Sequence, residues 1–335
     1  MKPTAALSLA LLVAAGPVHS QSAPVVYETV PQGSDVDSTT QTDDVAVQDD
    51  GHDRMTVPVR FRGAGPFDFL VDTGADRTAV SRELAQRLNL AAGHKARLHS
   101  VSGAYDVETV NVPQLELSQK VVTDIQAPLL DRDKMGADGI LGVDSLRSQR
   151  VVFDFKAGIM SVVPAVKVRE PKVEPGEIVV RGRLKNGRLI MTRAVVDGED
   201  VDIVIDTGSE VSMGNLALRR RLSRRGILQQ LGPVTLMSVT GQSIVGDYTV
   251  LNSINVGGMT IRRLAVAFAD AHTFKQLGMV NRPAILLGMN GMRAFDRVSI
   301  DFARKKLRVI LPERSEIDCA VMTAARRALP HSAND

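Results

Sequence analysis

Two short segments, FLVDTGADRTAV at 69–80 and IVIDTGSEVSM at 203–213, each carry Asp-Thr-Gly at the end of an apolar run. A short apolar run closed by Gly reads as a buried strand, so in both places an aspartate leaves a strand at a tight turn. The surroundings recur as well. A hydroxyl stands six residues after each aspartate (Thr78 and Ser212), and an apolar-apolar-Gly tripeptide follows later (ILG at 140–142, LLG at 286–288). A single Asp-Thr-Gly arises by chance about once in several thousand positions at average residue usage. Two copies in shared context mark an internal duplication, and the chain must therefore build one unit twice.

The other landmarks keep the same order in each half. MTVPVRFRG and FDFLVDT read as strands joined at GAGP. SRELAQRLNL has helical spacing of Leu84, Leu88 and Leu90, with Ser81 as N-cap. ARLHSVSG and AYDVETVNVPQLEL form a hairpin bent at Ser102–Gly103, DGILGVDSL holds a buried strand, and RVVFDFKAGIMSVV is a closing hairpin. In the second half, EIVVRGRLKNGRLIMTRAVVDG reads as a hairpin with a type I′ turn at Asn186–Gly187. GNLALRRRLSRRGIL is the helix, LMSVTGQSIVGDYTV the bent hairpin, AILLGMNGM the buried strand and RVSIDFARKKLRVIL the last hairpin. Two copies fall short of the three or more that a solenoid needs. The expected boundaries are 54–164 and 176–312 for the two units, with the Pro- and charge-rich 165–175 as linker and 313–335 as a tail.

A length of 335 residues accommodates two units of ordinary size. Trp is absent and aromatics make up 4%, so the core must come from Val, Ile, Leu, Met and Ala, which leans toward sheet. A net charge of +3 argues against a nucleic-acid-binding surface. The basic run LRRRLSRRG at 218–226 reads as a solvated helix face with its Leu residues inward. With Cys319 alone, no intrachain disulfide is possible. The six His residues lack metal-ligand spacing, and DRDKMGADG at 131–139 has calcium-loop flavour but puts Met135 at a ligand position and Gly142 where the bidentate Glu belongs. It reads as a polar loop. No G-x-S-x-G, Walker or dinucleotide-binding pattern occurs, so neither metal nor cofactor is expected.

Residues 1–20 have the form of a signal peptide, with Lys2, the apolar AALSLALLVAAG and cleavage after Ser20. The apolar segment is too short to span a bilayer, so an exported protein, periplasmic or secreted, with no membrane span is expected. Residues 21–53 are acidic and lack apolar periodicity. A solvated leader is favoured there over a propeptide docked on a basic cleft.

With both aspartate motifs in place, the chain resembles the aspartic proteases of the pepsin and retropepsin type, and VDTGADRTAV is similar to their retroviral-like branch, found also in exported bacterial proteins. The resemblance covers 55–312. It implies an all-β fold of two homologous β-barrel lobes with a few short helices and an active-site cleft between them. It also implies that Thr73 and Thr207 hydrogen-bond across the lobe interface, and that the hairpins SVSGAY and SVTGQS are flaps over a polypeptide substrate, with Ser102, Gly103, Ala104, Thr240, Gly241 and Gln242 as candidate contacts. For Tyr105 and Tyr248, just past the two tips, strand packing and the role of a flap tyrosine are both open.

The residues support this chemistry on physical grounds. Gly74 and Gly208 permit a tight turn and close backbone approach. Asp72 and Asp206, facing each other, would share one proton because like charges at hydrogen-bond distance cannot both ionise easily. One carboxylate then takes a proton from water while the other protonates the scissile carbonyl. Ala75 lacks the hydroxyl that Ser209 is expected to offer its own carboxylate, which makes the lobes unequal and lifts the working pH. The linker is long enough for both lobes of one chain to pair, so a monomer is preferred to an exchange of lobes between chains. A peptide-binding scaffold without turnover is the alternative, and two poised carboxylates weigh against it.

Overall fold

The computed structural model describes residues 56–312, apart from 119 and 166–168, and the side chains of 229 and 230. The expected signal peptide, acidic leader, C-terminal tail and Cys319 lie outside the described residues. The described chain is mostly strand, in two lobes.

In each lobe six strands close on themselves. The first lobe runs Thr56–Phe61, Ala64–Val71, Gly139–Leu141, Ala79–Ser81, Lys120–Leu130, Thr109–Leu117 and back to the first strand, where Val59 pairs with Leu117. The second repeats the order with Arg188–Val196, Glu199–Ile205, Ala284–Leu287, Ser212–Gly214, Met259–Phe268 and Ser243–Val256, closed by Val196 opposite Ile254. Closure leaves no long barrel edge to pair with another chain. Alternate residues turn inward, so Val57, Val59, Phe69, Val112 and Leu115 fill one barrel and Ile203, Ile205, Leu251, Ile261 and Val266 the other.

The local signals explain most boundaries. Ser81 Oγ accepts from Leu84 N at 3.1 Å and starts the helix Arg82–Arg87; Asn215 does the same for Leu216–Arg224, whose Ala217, Leu218 and Leu222 are buried while its arginines face outward. Asn186 and Gly187 have φ of 49° and 80°, as a type I′ turn requires.

Three boundaries differ from expectation. The first hairpin turns at Arg62–Gly63, both at positive φ, and Gly65 and Pro66 already lie in the next strand. The segment 131–139 is not simply a polar loop: Arg132–Met135 is one helical turn with Met135 fully buried. EIVVRGRLK is two strands in different sheets, Glu177–Arg181 and Arg183–Lys185, divided at Gly182, where a side chain would strike Met191 and Leu189.

The released strand Glu177–Arg181 joins a five-stranded sheet shared by the lobes, in the order Ile159–Pro164, Gln149–Asp154, Arg297–Asp301, Lys306–Ile310, Glu177–Arg181. Its central pair crosses the lobe boundary, with Arg150 opposite Asp301 and Val152 opposite Ser299. The linker must run from one edge of this sheet to the other, about 19 Å at strand spacing, and the residues between Pro164 and Glu177 span about 40 Å when extended. Its far half is fastened: the buried Arg308 donates to Pro171 O, Lys172 O and Glu177. One apolar cluster runs through both barrels and this sheet.

Candidate active site

Each aspartate strand lies parallel to its apolar-apolar-Gly strand, Val71 beside Leu141 and Ile205 beside Leu287. Asp72 N and Asp206 N donate to Leu141 O and Leu287 O, both at 3.0 Å, which ends the two strands at the same height. Glycine is required just beyond. A methyl group on Gly142 would come within 2.4 Å of the Arg77 backbone, and one on Gly288 within 2.7 Å of Ser209 O. The two hydroxyls six residues on tie each loop down. Thr78 Oγ1 donates to Asp144 Oδ1 at 2.7 Å and accepts from Gly142 N; Ser212 Oγ donates to Asn290 Oδ1 at 2.7 Å and accepts from Gly288 N.

The loops meet through their threonines. Thr73 N donates to Thr207 Oγ1 and Thr207 N to Thr73 Oγ1, both at 3.0 Å; the hydroxyls in turn donate to Ile205 O and Val71 O in the opposite lobes. Every polar atom in this buried cross is satisfied from the other side, so the interface holds only when both loops are in register. Gly74 and Gly208 let the carboxylates approach: a methyl on Gly74 would lie 2.4 Å from Asp206 Oδ1, and one on Gly208 would lie 2.2 Å from the Asp72 carboxyl carbon. The structure thus brings together all of Asp72, Thr73, Gly74, Asp206, Thr207 and Gly208.

The carboxylates are not equivalent. Gly74 N donates to Asp72 Oδ1 at 2.7 Å, whereas Gly208 N reaches Asp206 Oδ1 at 3.2 Å. Burial raises both groups above the ordinary Asp value. For Asp72 the Gly74 N–H and the Arg188 charge oppose that rise; for Asp206 burial is joined by the Asp72 charge and carries it to about 7. Both carboxyls hold a proton more readily than an exposed Asp, and the shorter Gly74 N–H bond favours the ionised form at Asp72. The expected role of Ser209 does not hold: its hydroxyl donates to Val211 O at 2.8 Å, a local bond that turns it from Asp206. The carboxylates differ through the backbone N–H lengths instead.

Arg188 is the residue the sequence reading missed. It begins the first barrel strand of the second lobe, is 7% exposed, and crosses to the first lobe, where Nε donates to Gly74 O at 2.5 Å and a terminal nitrogen lies 3.4 Å from Asp76. The duplication held a signal for it, since Arg54 and Arg188 each stand eighteen residues before an aspartate. Arg54 lies outside the described residues.

Above the dyad is a cavity of about 240 Å³, below the usual range for small-ligand sites, because both hairpins fold over it. The first hairpin turns at Val101–Ser102, with Ser100 opposite Gly103. The second turns through Val239 and Thr240, with Gly241 at φ 80° donating to Ser238 O. Arg97–Val101 and Leu236–Val239 face the cavity; Ser102, Gly103, Ala104, Thr240, Gly241 and Gln242 sit on the turns and returning strands and do not line it. Ala75 and Ser209 do line it. Each tip leans on the opposite lobe. Val101 packs on the second lobe's cluster and its carbonyl accepts from His272 N at 2.8 Å, with His99 Nδ1 2.9 Å from His272 Nε2 in parallel rings; Val239 packs on the first lobe's cluster near Met135. Tyr105 folds back to donate to Ser102 O, and Tyr248 packs partly buried beneath the second flap.

Among the described residues no group of three His, Cys, Asp or Glu side chains is placed to hold a metal ion, and no helix is long and apolar enough to cross a membrane. Residues 57–145 and 192–290 both match one family model, described as aspartyl protease. No curated protein matches the chain.

Proposed function

Because the chain belongs to the aspartyl protease family, we propose that it is an aspartic endopeptidase in which Asp72 and Asp206 form one acid-base pair. The observation that carries this reading is the threonine cross, which holds two carboxyls from different lobes on one cavity floor. Asp72, with the shorter N–H bond, is the ionised partner and takes a proton from a water molecule. That water attacks the scissile carbonyl carbon while Asp206 gives its proton to the carbonyl oxygen. Collapse of the tetrahedral adduct returns the oxygen's proton to the dyad, and the leaving nitrogen is protonated as the C–N bond breaks. The water supplies the OH and H of the products, and no covalent enzyme adduct forms.

Movement of the two hairpins over a bound extended peptide would exclude water from the dyad. The shared sheet and the presence of both aspartates in one chain support a monomer, and residues 1–20 support a periplasmic or secreted setting. Incubation with a mixed peptide library, with products read by mass spectrometry, tests the reading. Wild type should cut, and Asp72→Asn and Asp206→Asn should each lower kcat by about a thousandfold. Turnover kept by either variant contradicts the pair, and binding of a statine-type mimic without cleavage products indicates a scaffold.

A further inference from the structure

Two positions that match in the duplication differ in charge, and one of them lines the cavity. Five residues after Asp72 stands Arg77; five after Asp206 stands Val211. Arg77 is exposed at the cavity wall, whereas Val211 packs against the second lobe's apolar cluster. The other charged side chains around the cavity are already engaged: Arg188 with Gly74 O and Asp76, Lys134 with Asp131, Arg97 with Asp106, and Glu210 with Arg293. Among the described residues nothing accepts a hydrogen bond or ion pair from the Arg77 guanidinium.

Its backbone, by contrast, is fixed. Gly142 packs against the Arg77 carbonyl with no room for a side chain, and the next residue, the buried Thr78, is held through its N–H and hydroxyl by Asp144. A long cationic side chain on a fixed backbone, at the edge of the cleft, is placed to reach an anionic partner. A guanidinium presents a planar fork that matches a carboxylate in two hydrogen bonds. Alternate side chains of an extended peptide face opposite walls, so the first lobe's wall meets its own subset of substrate positions.

Resting on the protease reading above, we propose that Arg77 is a specificity-determining residue that selects an Asp or Glu side chain on one side of the scissile bond. The matched Val211 packs into its own lobe's apolar cluster and offers no such partner, and the cleft thereby fixes the direction in which a peptide lies.

The test compares cleavage of library peptides by wild type, Arg77→Val, which copies the second lobe, and Arg77→Glu. Wild type should favour Asp or Glu over Asn or Gln at a single position by roughly tenfold in kcat/KM. Arg77→Val should lose that preference, and Arg77→Glu should replace it with one for Lys or Arg, a gain that a misfolded variant could not give. Cleavage by wild type with no acidic preference, or a preference kept in both variants, overturns the assignment and leaves the protease reading intact. If wild type cuts nothing, the protease reading fails by itself. Fluorescence anisotropy with matched acidic and amide peptides then decides the assignment: tighter acidic binding lost in Arg77→Glu supports it, and equal binding overturns it.

Discussion

The first lobe ties its aspartate loop to a carboxylate, Asp144, where the second uses an amide, Asn290. Asp144 accepts from Thr78 N, Thr78 Oγ1 and Ser145 N; Asn290 accepts from Ser212 N and Oγ and spends its own N–H on Ala265 O at 2.8 Å. The acceptor geometry around the two hydroxyls is the same, and the difference lies in what stands behind it. Asp144 is bounded by donors and by the half-buried Lys120, whose charge interacts with it; Asn290 is 5% exposed and has a carbonyl to satisfy. The duplication has kept, twice, whatever fixes a carboxyl on the cavity floor, and let the residues around it diverge. Arg77 and Val211 hold matching positions with different side chains, and the flaps differ in turn length and anchoring.

If that division is right, the conserved half of the comparison should break symmetrically. Thr73→Val and Thr207→Val each strip a buried N–H and a buried carbonyl of partners, so each should cost about 3 kcal/mol in denaturant unfolding, and by similar amounts. A large inequality would mean the cross is not shared equally. The diverged half should break unequally. Asn290→Asp buries a charge facing Ala265 O and should cost about 3 kcal/mol at neutral pH, whereas Asp144→Asn, with its acceptor role kept, should cost about 1 kcal/mol. Equal losses would erase the distinction drawn between the lobes.

Arg188 gives a smaller effect with a defined sign. Its charge lowers both dyad carboxyls, so Arg188→Gln should raise the pH above which activity falls, seen in the alkaline limb of kcat/KM. A limb that stays put would confine Arg188 to holding Gly74. The smallest effect concerns the flaps. Burial, followed by the charges of His99 and Lys275, holds His272 below the usual histidine value, with Asp270 opposing; Arg97 and Asp106 are the charged neighbours on the hairpin side. A singly protonated pair still shares a hydrogen bond, but two protonated rings do not, so the contact is present above the lowered His272 pKa and lost as pH falls through it. Amide exchange in 96–107 should then rise a few-fold on acidification below the usual histidine range, with 237–243 unchanged, and His272→Ala should remove that dependence.

Much of this was legible in the sequence because it is local or repeated. The aspartate turns, the Ser81 cap, the Asn186–Gly187 turn and the close-packed Gly142 and Gly288 follow from residue type and spacing. The order of elements follows from the duplication. What was not legible depends on neighbours distant in sequence. Gly182 looks like part of a hairpin until Met191 and Leu189 are seen against it. Ser209 carries the right hydroxyl, yet a carbonyl two residues away outcompetes the carboxylate. The flap candidates were centred on the glycines, whereas closure across the cleft brings the preceding strand to the cavity.

The central claim is that one proton is shared by carboxyls from two lobes and rests mainly on Asp206. Asp206 carries a folded-state pKa of about 7, above its unfolded value, so its contribution to stability is present in acid and is lost as pH rises through about 7. The most direct test is to follow both kcat/KM and unfolding free energy of wild type from pH 4 to 9, beside the unfolding of Asp206→Asn. The account predicts that wild-type activity falls as pH rises through about 7 and that stability declines from the ordinary Asp range up to about pH 7, by on the order of a few kcal/mol, with a smaller decline in Asp206→Asn, where Asp72 alone remains. Activity undiminished to pH 9, or the same decline in stability in the variant, would contradict it.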